Sequence, residues 1–204
     1  MTLLGIKFDP KPVSIIILTT LLLTFDYYRT ITPVKAIDRF ILYFVIPVLV
    51  ILFAFRQSPA EYGLRLGNWR AGIKWTLIGM ALVAIPIWFL GHTQAFQDYY
   101  GSQGIQPIPL LEETVGQLLG WEFMFRGFLL FGLASVAGPY AIFLQAVPFA
   151  LAHLGKPEAE TWTTIFGGAL FGFVAWDTRS FLYPFLIHAF IFIFTILVST
   201  RTFG

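Results

Sequence analysis

The chain has no cysteine in its 204 residues, and only 12% of those residues are charged. The first absence excludes disulfides, thiolate metal sites and a cysteine nucleophile. The second excludes an ordinary soluble surface, because soluble domains carry about a quarter charged residues. Neither a Walker loop nor a dinucleotide fingerprint occurs, so nucleotide chemistry has no foothold. A Gly-x-Ser-x-Gly elbow is missing too. The net charge of +2 gives no reason to expect a nucleic-acid partner. What remains is apolar: 57% of residues are hydrophobic, and the mean hydropathy is +0.77.

The apolar residues fall into runs at 13–25, 37–55, 73–90, 110–136, 140–154, 162–175 and 181–200. Polar or Pro/Gly punctuation separates them, as at Pro33, Gln57-Ser58-Pro59, Gly138-Pro139, Lys156-Pro157-Glu158 and Asp177-Thr178-Arg179. A membrane-spanning helix uses about 20 residues. The expected fold is therefore all-α, a polytopic transmembrane bundle of about seven spans in one compact domain over 1–204, with no room for a separate soluble domain. Lys7 and Lys11 precede the first run as in a secretory signal. Asp26-Tyr27-Tyr28-Arg29 follows it instead of a small-x-small cleavage pattern, so the run reads as a short first span. The fourth run is too polar to face lipid and belongs inside the bundle. Segment 92–109 reads as a wet connection, and His92 within it as non-catalytic.

Strict alternation puts Lys7, Lys11, Arg56, Arg65, Arg70, Lys74 and Arg179 on one side, against Arg29, Lys35, Arg39, Lys156 and Arg201 on the other. That excess favours a cytoplasmic N-terminus. Gly168-x-x-x-Gly172 has the small-residue spacing that lets helix backbones approach closely, and reads as bundle packing.

Ionisable groups within spans cost roughly 2.5–3.5 kcal/mol each on insertion scales, so they tend to be paired and functional. Glu122 and Arg126, in Trp121-Glu122-Phe123-Met124-Phe125-Arg126-Gly127, are four apart and share a helix face. A guanidinium beside a carboxylate keeps it ionised, as a general base requires. The same pair could instead serve only as a buried ion pair that fixes packing. His153 ends Phe149-Ala150-Leu151-Ala152-His153, and His188 lies well inside the last run. One Glu, one Arg and two His on three apolar helices suggest convergence. A carboxylate that activates water, beside imidazoles that stabilise an oxyanion or bind a metal, is a hydrolytic arrangement.

At these residues the chain resembles the CPBP family of intramembrane endopeptidases, also called the CAAX protease and bacteriocin-processing or Abi family. Its members carry Glu-Glu-x-x-x-Arg, then Phe-x-x-x-His, then His-x-x-x-Asn on successive membrane helices. The corresponding stretches here are Trp121 to Gly127, Phe149 to His153 and His188 to Phe192, within a core at 110–195. The resemblance implies a multi-pass protein of a prokaryotic cell membrane that hydrolyses a peptide bond in a membrane-associated protein or peptide. Glu122 would activate the water, Arg126 would orient the carboxylate, and His153 and His188 would shape the oxyanion site. Members have been described both as glutamic-type, needing no cofactor, and as metal-dependent. A divalent ion such as zinc therefore stays open, and two His with one Glu match zinc in number.

Two positions depart from the pattern. Trp121 stands where the first Glu would be, and Phe192 stands where the Asn would be. Only one carboxylate of the pair remains. Glu112 and Glu113 lie upstream, but the nine residues from Glu113 to Glu122 are about two and a half turns, which puts them on the opposite face. An alternative reading is a catalytically silent relative that binds membrane segments as an immunity or chaperone-like factor. A proton-relaying transporter is the third, disfavoured because no inverted halves with matched broken helices are visible.

Overall fold

The structure is a computed structural model that describes residues 2–3, 5–7, 9–101 and 107–202. A minimal antiparallel pair, β1 (Thr2–Leu3) and β2 (Ile6–Lys7), precedes the helices and is the only strand pairing among the described residues. The helices are α1 (Pro10–Tyr28), α2 (Lys35–Ala54), α3 (Trp69–Gly91), a short α4 (Gln94–Tyr100), α5 (107–137), α6 (Ala141–Leu151), α7 (Glu158–Thr178) and α8 (Leu182–Ser199). Each of the seven apolar runs carries a helix. Among the described residues four stretches are long and apolar enough to cross a membrane: Lys35–Ala54, Trp69–Gly91, Leu110–Leu151 and Leu182–Ser199. The third runs from Leu110 in α5 to the end of α6. The protein is an integral membrane, all-α bundle.

Helix starts follow local chemistry. Asp9 caps α1 by accepting from Lys11 N at 3.0 Å, and Asn68 caps α3 by accepting from Ala71 N at 3.2 Å. Helix α5 contains two π-type stretches, Glu113–Gln117 and Phe123–Leu129. Such wide turns concentrate at functional sites. Every residue from Gly120 to Leu130 is buried, so α5 is surrounded by the others as its polarity suggested. Helix α3, by contrast, exposes Leu77, Leu82, Ile85 and Phe89, as a lipid-facing helix does.

The two ends of the bundle are clearly distinct. Asn68 N donates to Thr178 O at 2.8 Å, Arg65 Nε donates to Arg179 O at 3.1 Å, and Lys11 Nζ lies 5.1 Å from the Tyr62 ring centre. The N-terminal region, the α2–α3 connection and the α7–α8 turn therefore share one end, as alternation required. At the other end Lys35 and Arg39 hold Asp26 at 2.7 and 3.1 Å, tying α1 to α2.

Two sequence expectations change here. The run at 140–154 stops being helical at Leu151. Ala152 N and His153 N bond back to Pro148 O and Ala150 O, and Gly155 (φ +92°) reverses the chain before Pro157 starts α7. His153 thus sits in a tight turn just past α6. Segment 92–109 is also not simply a wet connection. Phe96 and Tyr100, four apart on α4, are buried against Ile196 with Leu90, Leu110, Ala159 and Phe192 around them. Tyr100 Oη donates to Glu160 Oε2 at 2.6 Å, and Lys156 Nζ reaches Glu160 Oε1 at 2.7 Å. Residues 102–106 of that segment lie outside the described residues.

Helix α3 approaches α8 along glycines. A Cβ on Gly72 would lie 2.1–2.3 Å from Tyr183 ring atoms, and that ring is held by its hydroxyl, which donates to Leu66 O at 2.8 Å. Gly72→Ala should therefore destabilise the protein by about 1–3 kcal/mol in thermal unfolding. Gly167→Ala, where a Cβ meets nothing within 4 Å, serves as the control. Equal stability of the two variants would contradict this packing.

Candidate active site

Four side chains singled out in the sequence come together in the middle of the bundle. Glu122 and Arg126 on α5 are both 0% exposed, and Arg126 Nη1 donates to Glu122 Oε1 at 3.2 Å. His188, on α8, places Nδ1 2.6 Å from the same oxygen. Glu122 Oε2 is buried with no partner among the described residues. Oε1 therefore accepts from a guanidinium, which has donors only, and also faces a ring nitrogen of His188.

Arg126 is held on three sides. Its Nη2 reaches Gly168 O on α7 at 3.5 Å, and its Cζ stands 3.8 Å from the Phe149 ring centre and 5.1 Å from that of Phe171. A desolvated guanidinium over an aromatic face is a favourable cation–π contact. The Phe of the second motif is thus a floor for the Arg of the first.

His153 does not touch Glu122 directly. Its ring stacks beside that of His188, with centroids 6.5 Å apart and planes at 29°, and lies 4.6 Å from the Phe149 ring. Its Nδ1 donates to Phe149 O at 2.8 Å. A carbonyl can only accept, so the neutral ring keeps its lone pair on Nε2. Thr161 Oγ1 donates to His153 O at 2.9 Å, fixing the turn to α7. Burial, and then the Lys156 charge, push the His153 pKa down to about 2. A base depressed from about 6.5 contributes stability that is complete above pH 6.5 and is lost as the pH falls toward the folded value. Lowering the pH from 7 to 5 should destabilise the wild type by about 2 kcal/mol, and His153→Phe by less. An equal acid sensitivity in thermal unfolding would show that His153 is not held neutral.

Trp121 fills the place of the first motif carboxylate. It is buried, with its ring 5.9 Å from His153 and edge-on to it, and 6.5 Å from Phe149. Arg39 lies over its other side, Cζ to ring centre 5.3 Å, and Nη1 of Arg39 donates to Gln117 Oε1. Phe192 joins the Phe96–Tyr100–Ile196 cluster. An apolar contact with α4 therefore occupies the position of the motif Asn. Glu112 is exposed and Glu113 half-buried. His92 is exposed, with Nδ1 2.7 Å from Trp88 O.

Sequence reasoning missed one residue, Gln145 on α6. It is completely buried, and Nε2 donates to Ile142 O and Gly168 O, both at 2.8 Å. The available signal was a lone amide in an apolar helix, four residues before Phe149 and eight before His153.

Among the described residues no three His, Asp or Glu side chains form a metal-ligand group. His188 Nδ1 is engaged by Glu122 and His153 Nδ1 by Phe149 O, so Nε2 is the remaining nitrogen of each ring.

Comparison with known proteins bears on the same stretch. Residues 114–194 match the family model described as type II CAAX prenyl endopeptidase Rce1-like. No curated protein and no solved structure matches the chain. The matched stretch covers less than half of the chain and lies within the 110–195 core that carries the motifs. It contains Glu122, Arg126, His153 and His188, and over this segment the chain is similar to the type II CAAX prenyl endopeptidases of the Rce1-like kind.

Proposed function

We propose that the protein is an intramembrane endopeptidase in which Glu122 activates a water for attack on a peptide bond of a membrane-associated protein or peptide. The supporting observation is the different setting of the two carboxylate oxygens. Oε1 is held by Arg126 and His188, while Oε2 is buried and free of protein partners. A carboxylate fixed by one oxygen can accept a proton with the other. Water gives that proton to Oε2 as its oxygen attacks the scissile carbonyl. The C–N bond then breaks, and the same proton passes from Glu122 to the leaving amine.

The two imidazoles take different roles. His188, whose Nδ1 lies 2.6 Å from Glu122 Oε1, takes the side of the site where the oxyanion develops. His153, neutral with its lone pair on Nε2, accepts a hydrogen bond from the attacking water and orients it. This differs from the sequence expectation that both histidines serve the oxyanion. The reason is the Phe149 carbonyl, which fixes the His153 tautomer. The basic end that holds Lys11, Arg65 and Arg179 is read as cytoplasmic, with the N-terminus on that side.

The family's name supplies the first substrate to try, a prenylated CAAX tail. A leader peptide and a C-terminal sorting helix complete the panel. The protein is reconstituted in liposomes with each peptide, and the products are identified by mass spectrometry. Cutting of one peptide at a single bond is the expected result. Binding without cleavage of all three would favour the silent-relative reading, for which Trp121 and Phe192 are the specific observations.

A further inference from the structure

Gln145, Phe149 and His153 are spaced four apart and form one stripe along α6 and the turn that follows it. Phe149 carries Arg126, and His153 belongs to the site. Gln145 has no role in the chemistry described above, yet it is fully buried in an apolar helix. Both partners of its amide, Ile142 O and Gly168 O, are carbonyls. Nε2 must therefore face them, which leaves Oε1 buried without a partner.

Gly168 O, inside the α7 ladder, receives two side-chain donors, Gln145 Nε2 at 2.8 Å and Arg126 Nη2 at 3.5 Å. The two side chains therefore share one carbonyl and crowd it. The glycine pair of α7 makes the approach possible. A Cβ at position 172 would lie 2.5 Å from Gln145 Nε2, and one at position 168 would lie 3.0 Å from the Phe149 ring. The small-residue motif that read as packing thus brings a backbone carbonyl up to the site.

We propose that Gln145 is a positioning residue. Through the shared Gly168 carbonyl it sets the place of Arg126, and through Arg126 it sets the Glu122 carboxylate and its His188 partner. Without the amide, Gly168 O has Arg126 as its remaining side-chain donor. The guanidinium is then drawn toward α7 and away from Glu122 Oε1. The consequence for catalysis rests on the peptidase reading; the Gln145–Arg126 coupling does not.

The test is a double-mutant cycle of Gln145→Met, which keeps the length and removes both donors, with Arg126→Lys. It is read in thermal unfolding and in the rate of peptide cleavage. Gln145→Met should lower kcat by about 10- to 100-fold with KM within about twofold of wild type. The double variant should be no slower than Arg126→Lys alone, and its loss of Tm should be smaller than the sum of the single losses. Gly172→Ala, which crowds Nε2, should reproduce the kcat loss, while Gly167→Ala should leave it at the wild-type value. These two variants decide the matter if Gln145→Met does not fold. Additive losses in both measurements, or wild-type kcat in Gln145→Met and Gly172→Ala, would overturn the proposal. If no peptide is cleaved by the wild type, the Tm cycle alone decides the coupling, so that outcome counts against the peptidase reading and not against Gln145.

Discussion

Glu122→Gln is expected to lower kcat by about 10²–10⁴-fold, the range that a general base contributes, while the protein folds and binds substrate as before. The amide has nearly the shape of the carboxylate. Its oxygen can still accept from Arg126 Nη1 and His188 Nδ1, which reach Oε1 at 3.2 and 2.6 Å in the wild type. It cannot take a proton from water. A loss confined to kcat separates removal of the base from disruption of the site, since a disturbed site would raise KM as well. Normal turnover by this variant would mean that the carboxylate is only part of a packing ion pair.

The second large effect is on stability. Arg126→Leu removes the guanidinium from a completely buried pair and leaves Glu122 with His188 alone. It also removes the stack on Phe149. Breaking a buried pair by deleting one partner destabilises by about 3–5 kcal/mol, because the remaining charge is uncompensated. Combining Arg126→Leu with Glu122→Gln should recover much of that loss, since no buried charge is then left. Chemical unfolding of the single and double variants in detergent checks this. A single variant as stable as wild type would show that Glu122 is not ionised in the folded protein.

These effects depend on features that sequence reveals to very different degrees. The helices were legible because apolar runs and Pro/Gly breaks mark them directly. The interior position of α5 followed from its polarity. The pairing of Glu122 with Arg126 followed from a four-residue spacing on one face. Three things depend on partners distant in the chain or on backbone groups. The turn that ends α6 at Leu151 depends on Gly155 and on back-bonding to Pro148, inside a run that reads as uninterrupted. The packing of α4 depends on Phe96 and Tyr100 meeting Ile196, a hundred residues later. Gln145 depends on Gly168 O, a carbonyl that no side-chain pattern displays. Likewise the distinct settings of His153 and His188 come from one carbonyl and one carboxylate, not from their motifs.

The two motif departures also take on physical content. Trp121 is not a gap in the site but part of its wall, held between Arg39 and the edge of His153. Phe192 faces the α4 cluster. Both contribute apolar surface where the family motifs carry polar groups.

Cleavage in water enriched in ¹⁸O tests the central claim most directly. Wild type and Glu122→Gln are reconstituted in parallel with a cleaved membrane peptide, and both product and enzyme are analysed by mass spectrometry. Direct attack by a Glu122-activated water predicts one labelled oxygen in the new product carboxylate, no label in Glu122, and no product from the variant within the same time. Label in the Glu122 carboxylate, as an acyl intermediate on that side chain would leave, or wild-type cleavage by Glu122→Gln, would contradict it.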